Sequence, residues 1–117
     1  MTLRTYHGSC HCGAVKFHFE SEPITKGCRC NCSICRRRGA VMSDDYVAPE
    51  RFTLERRNTL AAYQWGDHMM NHYFCTTCGI SPFSDVIADG RCRVNLGCVD
   101  DIDPVTLEIR SIDGRSF

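Results

Sequence analysis

Apolar and polar residues alternate along much of this chain with the two-residue period of β-strands. Ala14-Val15-Lys16-Phe17-His18-Phe19-Glu20 puts Val15, Phe17 and Phe19 on one face, which predicts a half-buried strand that Glu22-Pro23 ends. Ahead of it, Arg4 to Cys10 reads as a short strand running into a turn. Ala40 to Ser43 begins a further β segment, and Tyr46-Val47-Ala48 is a short apolar stretch broken by Pro49. Pro49 to Phe52 predicts one helical turn with proline at its tolerated first position. Leu60 to Trp65 and Met70 to Phe74 predict two strands joined through the turn formers Gly66 and Asp67. Arg93 to Val99 predicts another strand, weakened by Gly97. Asp101 to Pro104 reads as a turn or helix start. Leu107 to Ile112 alternates again, and Asp113-Gly114 turns the tail. Tyr63, Trp65, Tyr73 and Phe74 are assigned to the core. With short strands, frequent turns and no long amphipathic helix, the chain is expected to be mainly β, one domain over residues 1–117.

A chain of 117 residues builds only a small core, which a bound metal would reinforce. Fourteen basic and fourteen acidic residues cancel, so no global field attracts nucleic acid or an anionic membrane. No apolar run is long enough to span a bilayer, and Met1 to Arg4 does not resemble a signal peptide. The expected location is therefore the cytoplasm. There, ten cysteines point to metal binding rather than to a disulfide scaffold.

The cysteines fall into two sets. Cys10-His11-Cys12-Gly13 and Cys75-Thr76-Thr77-Cys78-Gly79 each offer two thiolates on a tight turn, with glycine available for a positive φ. Together they make the four ligands of a structural zinc ion, which would close a loop of more than sixty residues. Cys30-Asn31-Cys32-Ser33-Ile34-Cys35 crowds three thiols into six residues, too close for disulfide geometry but suited to a soft metal. Arg36, Arg37 and Arg38 follow directly and set positive charge beside the thiolates. Three thiolates leave a zinc position open to a substrate thiol, which would be held as the nucleophilic thiolate. Cys28, Cys92, Cys98 or a histidine would instead complete a closed structural site. The arginine run is either a solvated loop or a grip on substrate carboxylates, a task that suits the planar guanidinium. His7, His11, His18, His68 and His72 are scattered and are read as surface or core residues, since the cysteines already meet the coordination demand.

These motifs, taken in order, resemble the glutathione-dependent formaldehyde-activating family, which includes centromere protein V. The resemblance rests on Gly8 to Gly13, Cys30 to Arg37 and Phe74 to Gly79. Val94 to Asp100 and Asp113-Gly114-Arg115 look like its later landmarks. It implies a zinc-bearing set of coiled antiparallel β-sheets, shared with the exchange factor Mss-four and with methionine sulfoxide reductase B. It implies a structural zinc on Cys10, Cys12, Cys75 and Cys78 and a second, catalytic zinc on Cys30, Cys32 and Cys35. The implied activity is of the carbon–sulfur lyase type, with glutathione as thiol and formaldehyde as aldehyde. Arg36 and Arg37 are then the candidates to bind glutathione's carboxylates, and no nucleic-acid or membrane partner is expected. The alternative is a non-catalytic zinc module for protein binding or thiol redox sensing. The two readings part on whether the second cluster opens onto a cleft.

Overall fold

In the computed structural model, which describes residues 2–116, the predicted alternation becomes three small sheets. β1 (Arg4–Ser9), β2 (Lys16–Ser21) and β5 (Phe52–Arg56) form an antiparallel sheet in the order β1-β2-β5. β3 (Lys26–Cys30), β4 (Met42–Ser43) and β10 (Glu108–Ile112) form a second sheet, where β3 pairs antiparallel with β4 and parallel with β10. β6 (Leu60–Tyr63), β7 (Met70–Cys75), β8 (Phe83–Val86) and β9 (Cys92–Val94) form a four-stranded antiparallel sheet. The one α-helix among the described residues, α1 (Ser33–Arg38), follows β3 directly. No helix among them is long and apolar enough to cross a membrane.

The face predicted for β2 is the centre of the core. Val15, Phe17 and Phe19 are all fully buried; Phe17 and Phe19 join Phe83, Val94, Leu96 and Val99 from the other end of the chain in the main core, while Val15 packs in a smaller cluster with Cys10 and Cys75. The ring of Phe17 stacks on that of Phe52 at 5.4 Å, and Phe52 and Tyr73 both pack on Phe83 at 4.8 Å, within the range of favourable aromatic pairs. Isolated bridges stitch the sheets together: Gly8 to Val99, Met42 to Asn95 and Val47 to Cys92.

Three predicted elements differ from the structure. The strand predicted from Arg93 stops at Val94, because the Asn95 side chain accepts a hydrogen bond from the Gly97 amide and turns Leu96–Cys98 into a 3-10 helix. Phe52 starts a strand instead of ending the proline-led turn, which covers Pro49–Arg51. Tyr63 and Trp65 are not core residues: they are 53 % and 38 % exposed, at the end of β6 and in the loop after it.

The core analysis predicts a large penalty for truncating the central ring. At saturating zinc, Phe17→Ala should lower the free energy of unfolding in urea by about 3–5 kcal/mol, since it removes a fully buried aromatic and leaves a cavity. A loss below about 1 kcal/mol would show that Phe17 is not central to the packing.

Candidate functional site

The two turns that begin with Cys10 and Cys75 meet where the first sheet joins the third. The loop after β1 wraps its own sulfur: the Cys10 amide donates to Val15 O, the Gly13 amide to Cys10 O, and the Val15 amide to Cys10 Sγ at 3.3 Å. The loop after β7 closes in a similar way, with the Gly79 amide donating to Cys75 O and the Cys75 amide to Ile80 O. Both glycines have the expected positive φ, 80° at Gly13 and 78° at Gly79, which a side chain would strain.

The sulfurs of Cys10, Cys12, Cys75 and Cys78 all lie within 4.8 Å of one another. Cys12 Sγ is 3.7 Å from both Cys10 Sγ and Cys75 Sγ. A tetrahedral zinc with bonds of ~2.3 Å sets its sulfurs about 3.8 Å apart, so this donor set fits the ion. The Thr59 hydroxyl, 3.1 Å from Cys75 Sγ, acts with the amides of Cys78 and Thr77 to bring that thiol down to about 6, ready to bind as thiolate.

The second cluster lies where β3 runs into α1. Cys30 ends the strand, Cys32 is the helix N-cap and Cys35 lies in the first turn. The C-x-x-C step is thus closed by a helical turn, with the Arg36 amide donating to Cys32 O at 3.0 Å. The three sulfurs also lie within 4.8 Å of one another, and none of Cys28, Cys92 or Cys98 joins them. Cys28 and Cys92 are buried and Cys98 is half-buried, and burial raises each thiol, Cys92 to about 12 and Cys98 to about 11. Within the cluster the thiols diverge. Burial, then the neighbouring Cys32 thiol, push Cys35 up to about 12 against the pull of Arg38. Burial also opposes ionisation at Cys32, but the Cys35 amide and the adjoining thiols outweigh it and lower that pKa.

The three arginines do different things. Arg37 folds back on its own helix and donates to Ser33 O and Ser33 Oγ. The Arg36 side chain is exposed and makes no hydrogen bond or ion pair among the described residues. Arg38 turns inward. Its guanidinium lies 3.7 Å from Cys35 Sγ and donates to Ser84 Oγ at 3.0 Å on the neighbouring sheet and to Ser81 Oγ at 3.4 Å in the loop that leads into it. His72 Nδ1 meets the same Ser84 hydroxyl at 3.3 Å, and burial, helped by Arg38, lowers the pKa of that imidazole.

A cavity of 410 Å³ opens beside the second cluster, lined by Asn31, Cys32, Ser33, Arg36, Arg37, Trp65, Gly114 and Arg115. The C-terminal tail forms one wall. The Asn31 side chain donates to Asp113 Oδ1 and accepts from the Arg115 amide, both at 3.0 Å. Gly114 packs so closely that a Cβ would collide with Cys30 Sγ and come within 2.9 Å of Cys32 Cβ. Sequence reasoning found the cysteines, Arg36 and Arg37 and set Arg38 beside the thiolates without a role of its own; it missed Trp65 and Arg115 as parts of this region. Arg38 carried no signal separate from the run it ends. A second cavity of 430 Å³ lies elsewhere and is lined by Glu20, Glu22, Asp44 and Asp45 but no cysteine.

The close approach of the tail generates a prediction. Gly114→Ala should lower stability by about 1–3 kcal/mol through overpacking and should expose the cluster, read as faster reaction of Cys30 and Cys32 with a thiol reagent. Unchanged stability and labelling rates would show that the tail does not press on these cysteines.

The comparisons with known proteins agree with this picture. The family model described as glutathione-dependent formaldehyde-activating enzyme matches residues 5–111. A crystal structure of a Rhodobacter sphaeroides protein, a structural-genomics target, is similar with a TM-score of 0.78 and 30 % sequence identity. That similarity covers 89 % of this chain and 99 % of the other. The match therefore takes in both cysteine sets and the sheets that bring them together, and the chain belongs to the glutathione-dependent formaldehyde-activating enzyme family.

Proposed function

We propose that this chain is a zinc-dependent enzyme of the carbon–sulfur lyase type that joins the thiol of glutathione to a small aldehyde such as formaldehyde. The observation that carries the proposal is the cavity lined by Cys32 together with Arg36, Arg37 and Arg115. Glutathione has one thiol and two carboxylates, and guanidinium groups pair carboxylates through two parallel hydrogen bonds. The other large cavity has no cysteine, and its four carboxylates outnumber Lys26 and Arg51, so it would repel the same ligand. The second zinc, held by Cys30, Cys32 and Cys35, would supply a soft site that keeps an incoming thiol ionised at neutral pH.

The remaining contributions belong to the chain. Arg36, Arg37 and Arg115 orient the tripeptide with its sulfur toward the cysteines. Trp65, half out of the protein surface, walls the cavity and limits water at the reacting sulfur. Arg38 fixes Cys35 against the third sheet through Ser81 and Ser84. In the reaction the glutathione sulfur forms a bond to the aldehyde carbon, the carbon–oxygen π bond opens, and the thiol proton ends on the new hydroxyl. Holding both reactants in one cavity removes much of the entropic barrier to this addition.

The cavity beside the cluster favours this reading over a closed, non-catalytic zinc module, because a module has no use for an open face lined by three arginines. With cobalt in place of zinc, glutathione should change the thiolate-to-metal charge-transfer band, and Cys32→Ser should abolish that change. Arg36→Ala and Arg37→Ala should each weaken glutathione binding by about 1–3 kcal/mol, the value of a hydrogen bond to a charged group. If glutathione leaves the cobalt spectrum untouched and aldehyde is consumed at the uncatalysed rate, the proposal fails.

A separate prediction concerns the first set. If Cys10, Cys12, Cys75 and Cys78 hold the structural zinc, Cys78→Ser should lose that ion and most of the fold, since about 10 kcal/mol or more is at stake. A variant that melts with the wild type would refute that assignment.

A further inference from the structure

The outer face of the first sheet carries a third group of ligand atoms, remote in kind from the thiol clusters. His7 and His18 are direct cross-strand partners on β1 and β2, with ring centroids 5.6 Å apart. Glu55 joins them from β5, and the ligand atoms of all three lie within 4.8 Å of one another.

The register explains how Glu55 gets there. Phe17 pairs with Leu54, so an unbroken ladder would set Glu55 opposite Lys16. A bulge between Lys16 and Phe17 puts Arg56 opposite Lys16 instead and leaves Glu55 beside His18. Bulges redirect side chains in this way. Arg56 in turn reaches for Gly13 O at 3.4 Å, so its guanidinium is engaged away from the carboxylate.

The contact between His18 and Glu55 is incomplete as a hydrogen bond. His18 Nδ1 is buried and lies 3.3 Å from Glu55 Oε1, yet no partner satisfies that nitrogen. A buried polar atom without a partner is costly. Two ligand atoms of a tetrahedral zinc, bound at ~2.0–2.1 Å, stand about 3.3–3.4 Å apart. The spacing of nitrogen and oxygen is within ion-pair distance and also matches two ligand atoms on one such ion.

We infer that His7, His18 and Glu55 form a third metal site, open to solvent, for a borderline divalent transition-metal ion. Two imidazoles and one carboxylate are hard enough to suit zinc without the thiolates that the other sets provide. With three protein ligands, the ion keeps a position for water or an external ligand. It would clamp β1, β2 and β5 together from the outside, opposite the aromatic core. The inference is independent of glutathione and of the reaction proposed above.

The test uses the full, reduced chain with its cysteine sets already loaded with zinc. One further equivalent of zinc chloride is added while the histidine ring nitrogens are followed by nitrogen-15 NMR, with calorimetry on the same titration. The ring signals of His7 and His18 should move on metal binding, while those of His68 and His72 stay in place. Glu55→Gln should weaken the added equivalent at least tenfold, and His18→Gln should remove it, both with the cysteine-bound zinc retained. Unmoved His7 and His18 signals, or a His18→Gln chain that takes up the extra zinc as the wild type does, would overturn the inference.

Discussion

Four sulfurs meeting at the junction of two sheets are the constraint on which the rest of this molecule depends. Cys10 and Cys12 follow the first strand, while Cys75 and Cys78 lie 63 residues or more beyond Cys12, at the end of β7. A small cluster of Cys10, Val15 and Cys75 is buried there, apart from the main aromatic core. Thiols alone give such a cluster little cohesion. A zinc ion on four thiolates contributes about 10–16 kcal/mol, comparable to the ~5–15 kcal/mol net stability of a whole domain. On that scale an ion bound there would outweigh the small core in holding the first and third sheets together.

The second cluster depends on that junction indirectly. Its cysteines come from one short segment, so the chain needs no distant partner to assemble the sulfurs. What it does need from afar is the surroundings. Arg38 anchors on Ser84 of the third sheet and on Ser81 just ahead of it, Trp65 comes from the loop after β6, and the tail returns alongside β3 through the parallel pairing of β10. The cavity exists because two remote parts of the chain, the loop at Trp65 and the tail at Gly114 and Arg115, close around a local motif. This division also separates the roles proposed for the two metals, one holding the sheets and the other facing a cavity that the sheets create.

Much of this was legible in the sequence, for reasons that can be named. β2 announced itself because Val15, Phe17 and Phe19 face a dry core while Lys16 and Glu20 face water. The cysteine sets were legible because ligand spacing is a local property. β8 was not, since Ser84 points inward as the acceptor for Arg38 and replaces the apolar residue that alternation would show. β5 was hidden behind the proline-led turn and by the charges of Glu55 and Arg56. Trp65 misled because a large aromatic is usually buried, whereas here it lines an open cavity. The histidines looked scattered because cross-strand pairing, not sequence spacing, brings His7 to His18.

Stepwise removal of metal tests the central claim most directly. Reduced protein is treated with increasing chelator while native mass spectrometry counts the zinc held by each chain and circular dichroism follows the β structure. The thiol-bound zinc should leave in two stages. The ion facing the cavity goes first with the fold intact, and the ion joining the two sheets goes last, together with the β signal. Loss of both thiol-bound ions in a single step, or β structure that survives the loss of both, would contradict the account.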